Sequence, residues 1–572
     1  MRHNSRTVFT CHEYLHKTLA PSRFDLSLRI TEDPFSDALK AAGINYEEIV
    51  VDYLKSLKLK LEILDTSLSI EVWEKNTARA MMSHDIDIIY GASIGDHCEK
   101  ELATLQKVDY VGDPLRVSTP DLLVKIGISA SGCPVWAPVD IKSHDPLVAS
   151  KSNTVHITRW PDFNPSDAET IEGRIRDDDA LLLAHYLRHI QALGLADDST
   201  WAGILGVDES FITWVDLDTL TFGKGVNAHS ALLLYEMAFQ EAVSIKERSR
   251  ARETDPSLPP VTIPRRIAAC SSCEMRKVCR AEMEVFNNGA GHVTLLSFVT
   301  ASKADEHLKG IESIVELAAA RDLDSFGVKA ATRAKVWIDK VPVLLDPTKR
   351  FGLPTFDVEI DIDLENSQAA MQEEELEDSA GRDVLYLYGY GIHDRTVDPD
   401  WRTAVTGFFD DYSDTDESEF RIFYQMWSLL EDEVARAEAA GKSVGIFHYG
   451  PYEQTWWRKF ATVHAGKRGT PTFEHVDEFM RNYFINLLPI ARTVALPVTG
   501  YSIKTLAPFA GFDWEVAEAG GANSMIMYQK AISSTTTDVE KADAIEWLRR
   551  YNRDDIRATF AVREYLRLLN FT

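Results

Sequence analysis

The sequence predicts a multidomain α/β protein with an α/β domain at each end and a helical segment between them. Strand-like residues 119–143 form a hairpin pattern, and a helix-type stretch follows at 179–188. Two further strand-like runs, 355–362 and 384–390, open a second α/β block. Between the blocks, residues 297–340 carry apolar positions at helical spacing. The predicted domains are 1–285, a helical linker 286–350, and 351–572.

The composition is that of an ordinary globular chain. Of its 572 residues, 45% are hydrophobic and 26% are charged. No apolar run approaches the roughly 18 residues that a membrane helix needs, and no apolar stretch follows the basic N-terminal residues as a secretion signal would require. Six cysteines exclude a disulfide scaffold and suit a reducing compartment. We therefore expect a cytoplasmic protein with no membrane partner.

Taken alone, the net charge of −28 argues against nucleic acid as a partner, because a polyanion repels DNA. Its distribution changes that conclusion. The segment Met371–Asp383 carries a net −5 and Asp410–Glu419 a net −6, so eleven of the excess charges lie in two short runs. Runs of this kind are typical of solvated loops.

The N-terminal hairpin places acids and a lysine in one region. Asp121 stands at the start of the first strand, and Asp140 and Lys142 share one face of the second because strand side chains alternate. Two carboxylates at one edge can hold a divalent metal, and a neighbouring lysine can position or deprotonate a water. Upstream, a helix-type stretch carries a further acid, Glu47 or Glu48.

Three cysteines lie within ten residues, as Cys270-x2-Cys273-x5-Cys279. Cysteines in a polar segment are poor core material, so the pattern indicates metal binding. Zinc is one alternative, but structural zinc usually draws on two CxxC-like pairs or on histidines. A [4Fe-4S] cluster fits the triplet plus one distant cysteine better. The surrounding cluster of basic residues suits phosphate contact and comprises Arg265, Arg266, Arg276, Lys277 and Arg280.

Pro120-Asp121 followed by Asp140-Ile-Lys142 resembles the PD-(D/E)xK motif of nucleases with a restriction-endonuclease-like fold. The whole of residues 1–285 resembles RecB-type nucleases of the iron–sulfur subgroup. This resemblance implies that Glu47, Asp121 and Asp140 bind Mg²⁺ or Mn²⁺ and that Lys142 assists the attacking water.

The same resemblance implies that Cys11 joins Cys270, Cys273 and Cys279 as the fourth cluster ligand, although Cys98 and Cys133 remain alternatives. One position departs from the family: Leu182 stands where the helix after the hairpin usually carries a Gln, four residues before a Tyr. That Gln orients substrate in relatives, so its loss bears on rate or substrate choice.

Three segments of the C-terminal block carry acids at characteristic places. Asp357 and Glu359 share one face of a strand. Residues 443–453 run from a strand into a helix that carries Glu453, and Tyr551-Asn552-x-x-Asp555 lies on a later helix.

In this order the three segments resemble the DEDD exonucleases of the RNase H-like fold, and most closely the YprB-type branch. The resemblance covers residues 351–572. It implies that two metal ions are held by Asp357, Glu359, Glu453 and Asp555, and that Lys504 contacts a phosphate. Glu453 replaces the usual Asp. A shift along the strand to Asp361 and Asp363 remains an alternative.

Together these patterns predict a metal-dependent nuclease that hydrolyses DNA, on single strands or at ends, in repair, processing or defence. A ribonuclease is one alternative. A nucleic-acid-binding scaffold with decayed sites is another, which Leu182 and Glu453 favour. Gly441-Lys442-Ser443 is not a P-loop, because Arg436 stands where that motif needs a Gly, so any motor would come from a separate helicase partner.

Overall fold

The computed structural model divides the chain into two compact units. Unit 1 comprises Met1–Leu28 and Leu39–Ile263, and unit 2 comprises Arg29–Ala38 and Pro264–Thr572. None of the described helices is both long and apolar enough to cross a membrane. The residues described are 3–4, 11–31, 34–57, 59–109, 113, 115–223, 228–271, 273–296, 298–308, 310–320, 329–367, 383–516 and 520–571.

Unit 1 is built on an eight-stranded mixed sheet with the strand order β1-β2-β3-β4-β9-β10-β6-β7. The antiparallel pair β3–β4 is the predicted hairpin, and β4 continues into a parallel pair with β9. The strands of unit 1 are β1 (Leu61–Ile63), β2 (Ile88–Tyr90), β3 (Leu122–Ile128), β4 (Pro134–Ile141), β5 (Leu147–Val148), β6 (Thr154–Arg159), β7 (Glu169–Glu172), β8 (Arg174–Ile175), β9 (Trp201–Leu205), β10 (Phe211–Asp216), β11 (Leu220–Phe222) and β12 (His229–Ser230).

Helices cover this sheet on two sides because alternate strand residues are apolar on both faces. Trp136 belongs to one buried cluster, whereas Ala137 and Val139 belong to another that includes Val50 and Leu54. The helices are α1 (His12–Leu19), α2 (Pro34–Ser56), α3 (Ile70–Met81), α4 (Asp96–Gln106), α5 (Asp177–Ala192) and α6 (Ala231–Thr254).

The helical segment predicted as a linker forms a small core of its own within unit 2. Val293, Leu296, Ile314 and Leu317 are buried together in it. Its first helix loses helical backbone at Phe286–Asn288 before its end. The helices are α7 (Arg276–Gly289), α8 (Ala301–His307), α9 (Ile314–Ala319) and α10 (Ala330–Asp339).

The rest of unit 2 is built on a five-stranded sheet with the order β16-β15-β14-β17-β18. The central strand β14 pairs antiparallel with β15 and parallel with β17. A short separate pair, β13–β19, joins two distant segments of the chain. The strands are β13 (Val343–Leu344), β14 (Val358–Asn366), β15 (Leu385–Asp394), β16 (Val405–Asp410), β17 (Val444–His448), β18 (Phe484–Asn486) and β19 (Val494–Ala495).

Apolar and acidic residues alternate along β14 and so face opposite sides of the sheet. Ile360, Ile362 and Leu364 pack into a core with the helix that follows β16. The acids at odd positions face the long C-terminal helix instead. The helices of this part are α11 (Asp416–Ala439), α12 (Tyr452–Val463), α13 (Phe473–Tyr483), α14 (Leu487–Ala491), α15 (Ile503–Phe509), α16 (Gly521–Ile532) and α17 (Asp538–Leu568).

The predicted solvated loop 410–419 is a loop only at 411–415, and both of its ends belong to regular elements. Asp410 ends β16 and accepts from Arg549 at 2.7 Å, and α11 begins at Asp416. Glu419 is fully buried and pairs with His464 at 2.9 Å. The acids of this run are partnered by residues distant in sequence, which charge counting cannot see. The other acidic run lies outside the described residues except for Asp383.

Candidate active sites

The unit 1 hairpin brings its predicted acids and lysine together. Asp121 precedes β3 and its carboxylate accepts from the backbone N–H of Ile141 at 2.8 Å. Asp140 lies on β4, is buried, and forms an ion pair with Lys142 just beyond the strand. Strand pairing thus places two carboxylates and one ammonium group close together.

Glu47 of α2 reaches the same region. The Tyr90 hydroxyl donates to the Glu47 carboxylate at 3.4 Å, and Asp140 and Lys142 are close enough to influence its charge. Glu48, the alternative acid, is exposed.

The electrostatics of this region are those of crowded carboxylates. Burial and the neighbouring charge of Asp140 raise the pKa of Asp121 well above its usual range. Burial raises the pKa of Glu47 as well. For Lys142, burial acts to lower the pKa, but the nearby carboxylates outweigh it and the pKa is raised. A divalent cation among these acids would offset their mutual repulsion.

Sequence reasoning missed Asp179 and His144 as members of this region. Asp179 lies in the first turn of α5, 4.0 Å from the Lys142 ammonium and 3.4 Å from the His144 ring. The available signal was the acidic first turn of α5, which is typical of a helix N-terminus and therefore uninformative by itself.

The cysteine triplet lies in unit 2, on a short turn and the start of α7. The backbone N–H groups of Ile267 and Met275 donate to the sulfurs of Cys270 and Cys273, each at 3.4 Å. Cys279 is buried in the first turns of α7. Hydrogen bonds to sulfur are a feature of thiolate ligand sites. Cys11 stands at the N-terminus of α1 in unit 1.

The two alternative cysteines have structural surroundings. Cys98 is fully buried in the core of unit 1, and Cys133 packs against that core from the hairpin turn. Of the predicted basic patch, Arg265 pairs with Asp305 at 2.6 Å and Arg280 with Glu284 at 3.0 Å. These pairs reduce the positive charge available for phosphate.

In unit 2, a group of three acids could hold a metal ion. One carboxylate oxygen from each of Asp363, Glu365 and Asp555 lies within 4.8 Å of the others. Within the described part of the chain, no other three Asp, Glu, His or Cys side chains meet this condition. Asp363 and Glu365 lie two residues apart on β14, and Asp555 lies on α17.

Neighbouring side chains hold these carboxylates in place. The Asn552 amide donates to Asp363 at 2.8 Å, and the Trp514 indole N–H donates to Asp555 at 2.6 Å. Lys504 forms an ion pair with Asp555, and its ammonium lies 4.2 Å from the centre of the Trp514 ring. Lys504 was expected to contact a phosphate, and in this structure it contacts a carboxylate.

Glu453 approaches the group from the first turn of α12. It is 3% exposed, and its carboxylate lies 3.1 Å from the His448 ring at the end of β17. Its charge also contributes to the raised pKa of Asp363. The predicted strand-to-helix segment therefore directs a fourth acid toward the other three.

Asp357 and Glu359, the predicted strand acids, do not lie in this group. Asp357 precedes β14, and its carboxylate accepts from the N–H and hydroxyl of Ser443 at 2.9 and 2.8 Å. Glu359 is fully buried between Arg567 and Arg563. The pair that meets Asp555 lies six residues further along the strand, and the shift that the sequence left open includes its Asp363 but not its Glu365.

The close approach of α17 to the sheet depends on glycines in β15. Gly389 lies opposite Asp363 in the β14–β15 pair, and a Cβ there would collide with the Asn552 side chain. A Cβ at Gly391 would lie 2.9 Å from the side chain of Ile556. These two glycines let α17 bring Asn552 and Asp555 onto the strand acids.

The donor set fits a divalent cation. Burial, and then the charges of Asp555 and Glu365, raise the pKa of Asp363 well above its usual range. Burial raises the pKa of Asp555 too, although Lys504 opposes it. Carboxylate oxygens are the ligands that Mg²⁺ and Mn²⁺ prefer, and a bound cation would offset this repulsion.

Comparison with known proteins identifies the C-terminal part. A family model of the RNase H superfamily matches residues 398–567. The match includes Glu453, Asp555 and the strand β17. Asp363 and Glu365 precede the match, but their strand β14 pairs directly with β17. The C-terminal part of the chain is therefore an RNase H-like domain. Comparisons with curated proteins and with solved structures find no match.

Proposed function

We propose that the chain is a metal-dependent nuclease that hydrolyses phosphodiester bonds in DNA, on single strands or at ends. The observation that carries the proposal is the group of Asp363, Glu365 and Asp555, in which β14 pairs with β17 of the RNase H-like part. Glu453 would be the fourth acid. Domains of this superfamily are generally nucleases, and carboxylate-bound metal ions are their usual means of catalysis.

The residues of the group would hold Mg²⁺ or Mn²⁺. Such an ion polarises a phosphoryl oxygen and lowers the pKa of an attacking water. Asn552 and Trp514 keep two of the carboxylates oriented by hydrogen bonds. Lys504 balances part of the negative charge, and the buried His448 fixes Glu453. Hydrogen bonds that orient metal ligands help to hold the metal ion and the reacting groups in the geometry that the reaction needs.

The second part of the proposal concerns unit 1. A RecB-like active site of the PD-(D/E)xK type would use Glu47, Asp121 and Asp140 as metal ligands and Lys142 beside the attacking water. The ion pair between Lys142 and Asp140 and the raised pKa of Asp121 support it. The first domain would then extend beyond unit 1 to include the cysteine triplet at residues 270–279.

The cysteines are proposed to bind a [4Fe-4S] cluster through Cys270, Cys273, Cys279 and Cys11. The sequence spacing is the main support, and the backbone N–H groups directed at two of the sulfurs add to it. Iron and acid-labile sulfide would be measured in anaerobically purified protein. Broad visible absorbance that bleaches on reduction is expected, whereas a colourless zinc-loaded protein would overturn this part.

The nuclease proposal is tested with end-labelled single-stranded DNA, duplex DNA and RNA in Mn²⁺. We expect degradation that a chelator abolishes. Asp363→Asn should remove the activity of the C-terminal site and Lys142→Ala that of unit 1, so the two variants assign each product. Asp357→Asn is the matched control and should stay active. If neither Asp363→Asn nor Lys142→Ala changes degradation of any substrate, the proposal is wrong.

A further inference from the structure

A cavity of about 680 Å³ lies within unit 2 beside the acidic group. Its walls come from four places in the chain: the helical segment, the β17–α12 connection, α14 with its C-terminal end, and the stretch before α15. Aromatic and basic side chains dominate, and they include Phe298, Arg333, Tyr449, Tyr452, Arg492 and Tyr501. None of these was identified from the sequence as a site residue.

Tyr452 lines the cavity and also contacts a residue next to the proposed metal site. Tyr452 immediately precedes Glu453, and its hydroxyl contacts the side chain of Asn366, which follows Glu365 on β14. The Tyr452 ring is nevertheless 42% exposed. Tyr452 is therefore an exposed aromatic residue close to two of the acids. It adjoins Glu453 on α12, and it contacts the neighbour of Glu365 on β14.

Two arginines, Arg333 and Arg492, also line the cavity. Arg333 of α10 lies over both Phe298 and Tyr501, at 5.2 and 5.3 Å from their ring centres, and donates to the Tyr501 hydroxyl at 2.6 Å. Arg492 is exposed, and its guanidinium forms no ion pair with any residue that the structure describes. The N-terminus of α12, whose first turn carries Glu453, also borders the cavity.

We propose that this cavity binds an unpaired nucleotide of the strand that is cleaved, with the base against the aromatic side chains and the phosphate toward Arg492. This inference rests on the proposed nuclease function and names its substrate as single-stranded. Aromatic platforms beside positive charge bind single strands because every base offers a face for stacking. A base held in a duplex cannot enter a cavity of this size without being unpaired.

The proposal gives the helical segment a role in the site. Phe298 and Arg333 belong to it, so the segment supplies one wall of the cavity and does more than connect two domains. Phe298 and Arg333 are positioning and binding residues in this scheme, because the metal-binding acids lie on other elements.

The test measures binding by fluorescence anisotropy with the full chain carrying both Asp363→Asn and Lys142→Ala, so that neither proposed site cleaves the strands. Single-stranded DNA, RNA of the same sequence and the corresponding DNA duplex are compared. Phe298→Ala and Tyr452→Ala should each weaken single-strand binding roughly tenfold. Arg492→Gln should weaken it and reduce the salt dependence by about 0.7 in the logarithmic slope. Both DNA and RNA single strands should respond, because base and phosphate are common to them.

Two controls separate the cavity from general effects. Tyr424→Ala removes a tyrosine of matching exposure, 43%, that does not line the cavity, and should leave binding unchanged. In a series of strands, each lacking one base at a different position, loss of the base at one position should weaken binding to the parent protein. Loss of that same base should not change binding to the Phe298→Ala variant. Arg492 is exposed, so its variant keeps the test valid if Phe298→Ala fails to fold.

Unchanged single-strand binding in the Arg492 and Tyr452 variants would overturn the proposal, as would an equal loss for the duplex. If those variants bind normally while Asp363→Asn abolishes the cleavage by the C-terminal site, the cavity proposal fails and the nuclease function stands. If the parent protein neither binds nor degrades any strand, both fail.

Discussion

Replacing Asp363 by Asn should make the metal-free protein more stable and less active at once. The three carboxylates of the group lie within 4.8 Å of one another. At that distance and an effective dielectric constant of 20, each pair of unit charges repels by about 3.5 kcal/mol. Protonation and the Lys504 ammonium already relieve part of this repulsion. We therefore expect a net gain of about 2 kcal/mol in the free energy of unfolding of unit 2.

The substitution is mild in other respects. The Asn552 amide can donate to the side-chain oxygen of Asn as it does to Asp363. Thermal unfolding would be followed in chelator and in excess Mg²⁺, with nuclease assays beside it. The parent protein should gain about 2.7 kcal/mol at a hundredfold excess of Mg²⁺ over its Kd, and the variant much less. Activity should fall by about 100-fold or more.

The control is Asp357→Asn, immediately before the same strand. Its carboxylate accepts two hydrogen bonds from Ser443, which lower its pKa, so the variant should lose stability and keep its activity and its response to Mg²⁺. The reasoning fails if Asp363→Asn destabilises the metal-free protein, or if Asp357→Asn is the variant that loses the metal response.

Gly389→Ala should lower the free energy of unfolding by about 1–3 kcal/mol and remove much of the activity, because its Cβ collides with Asn552. Gly352 has open space around it, so Gly352→Ala should change neither quantity. Calorimetry and nuclease assays measure the two effects. Acid should destabilise unit 1 through His185, which burial keeps at a pKa of about 3 and which contacts the Tyr235 hydroxyl at 3.0 Å. Because the unfolded chain binds this proton from about pH 6.5 downward, stability falls from there toward pH 3, by up to about 1.4 kcal/mol per pH unit. His185→Gln should flatten the slope in pH-dependent denaturant unfolding, and an unchanged slope would contradict the assignment.

Much of the architecture followed from local pattern. The hairpin of β3 and β4, the helix that carries Glu47, and the strand-to-helix segment ending at Glu453 lie where alternation and helical spacing predicted them. The Tyr-Asn-x-x-Asp motif also lies on a helix as expected. These elements are specified by residues close together in sequence, so sequence alone could locate them.

The cavity beside the acidic group could not be predicted in this way. Phe298, Arg333 and Tyr452 are far apart in sequence and share no motif. Their proximity comes from packing of the helical segment against the RNase H-like domain within unit 2. The fully buried ion pair between Arg563 and Asp361 was equally hidden, since neither residue carries a local sign of its partner.

The choice among the acids of β14 shows where sequence ends and tertiary structure begins. Acids occupy every odd position from 357 to 365, so a period of two treats them alike. Their contacts with helix α17 distinguish these acids from one another. Its Asp555 meets Asp363 and Glu365, whereas Arg563, eight residues later, meets Asp361 and Glu359.

The physical reason is a match of lengths between helix and strand. Eight helical residues rise about 12 Å, and four strand residues span about 13 Å. Side chains eight residues apart on α17 therefore reach acids about four residues apart on β14. Where it presents arginine, the acids are neutralised and serve the fold. Where it presents another acid, Lys504 balances only part of the negative charge, and a metal ion fits. The sequence by itself determined that β14 is an acidic strand and that Asp555 lies on a helix. Only the packing of α17 on β14 decided which acids face one another.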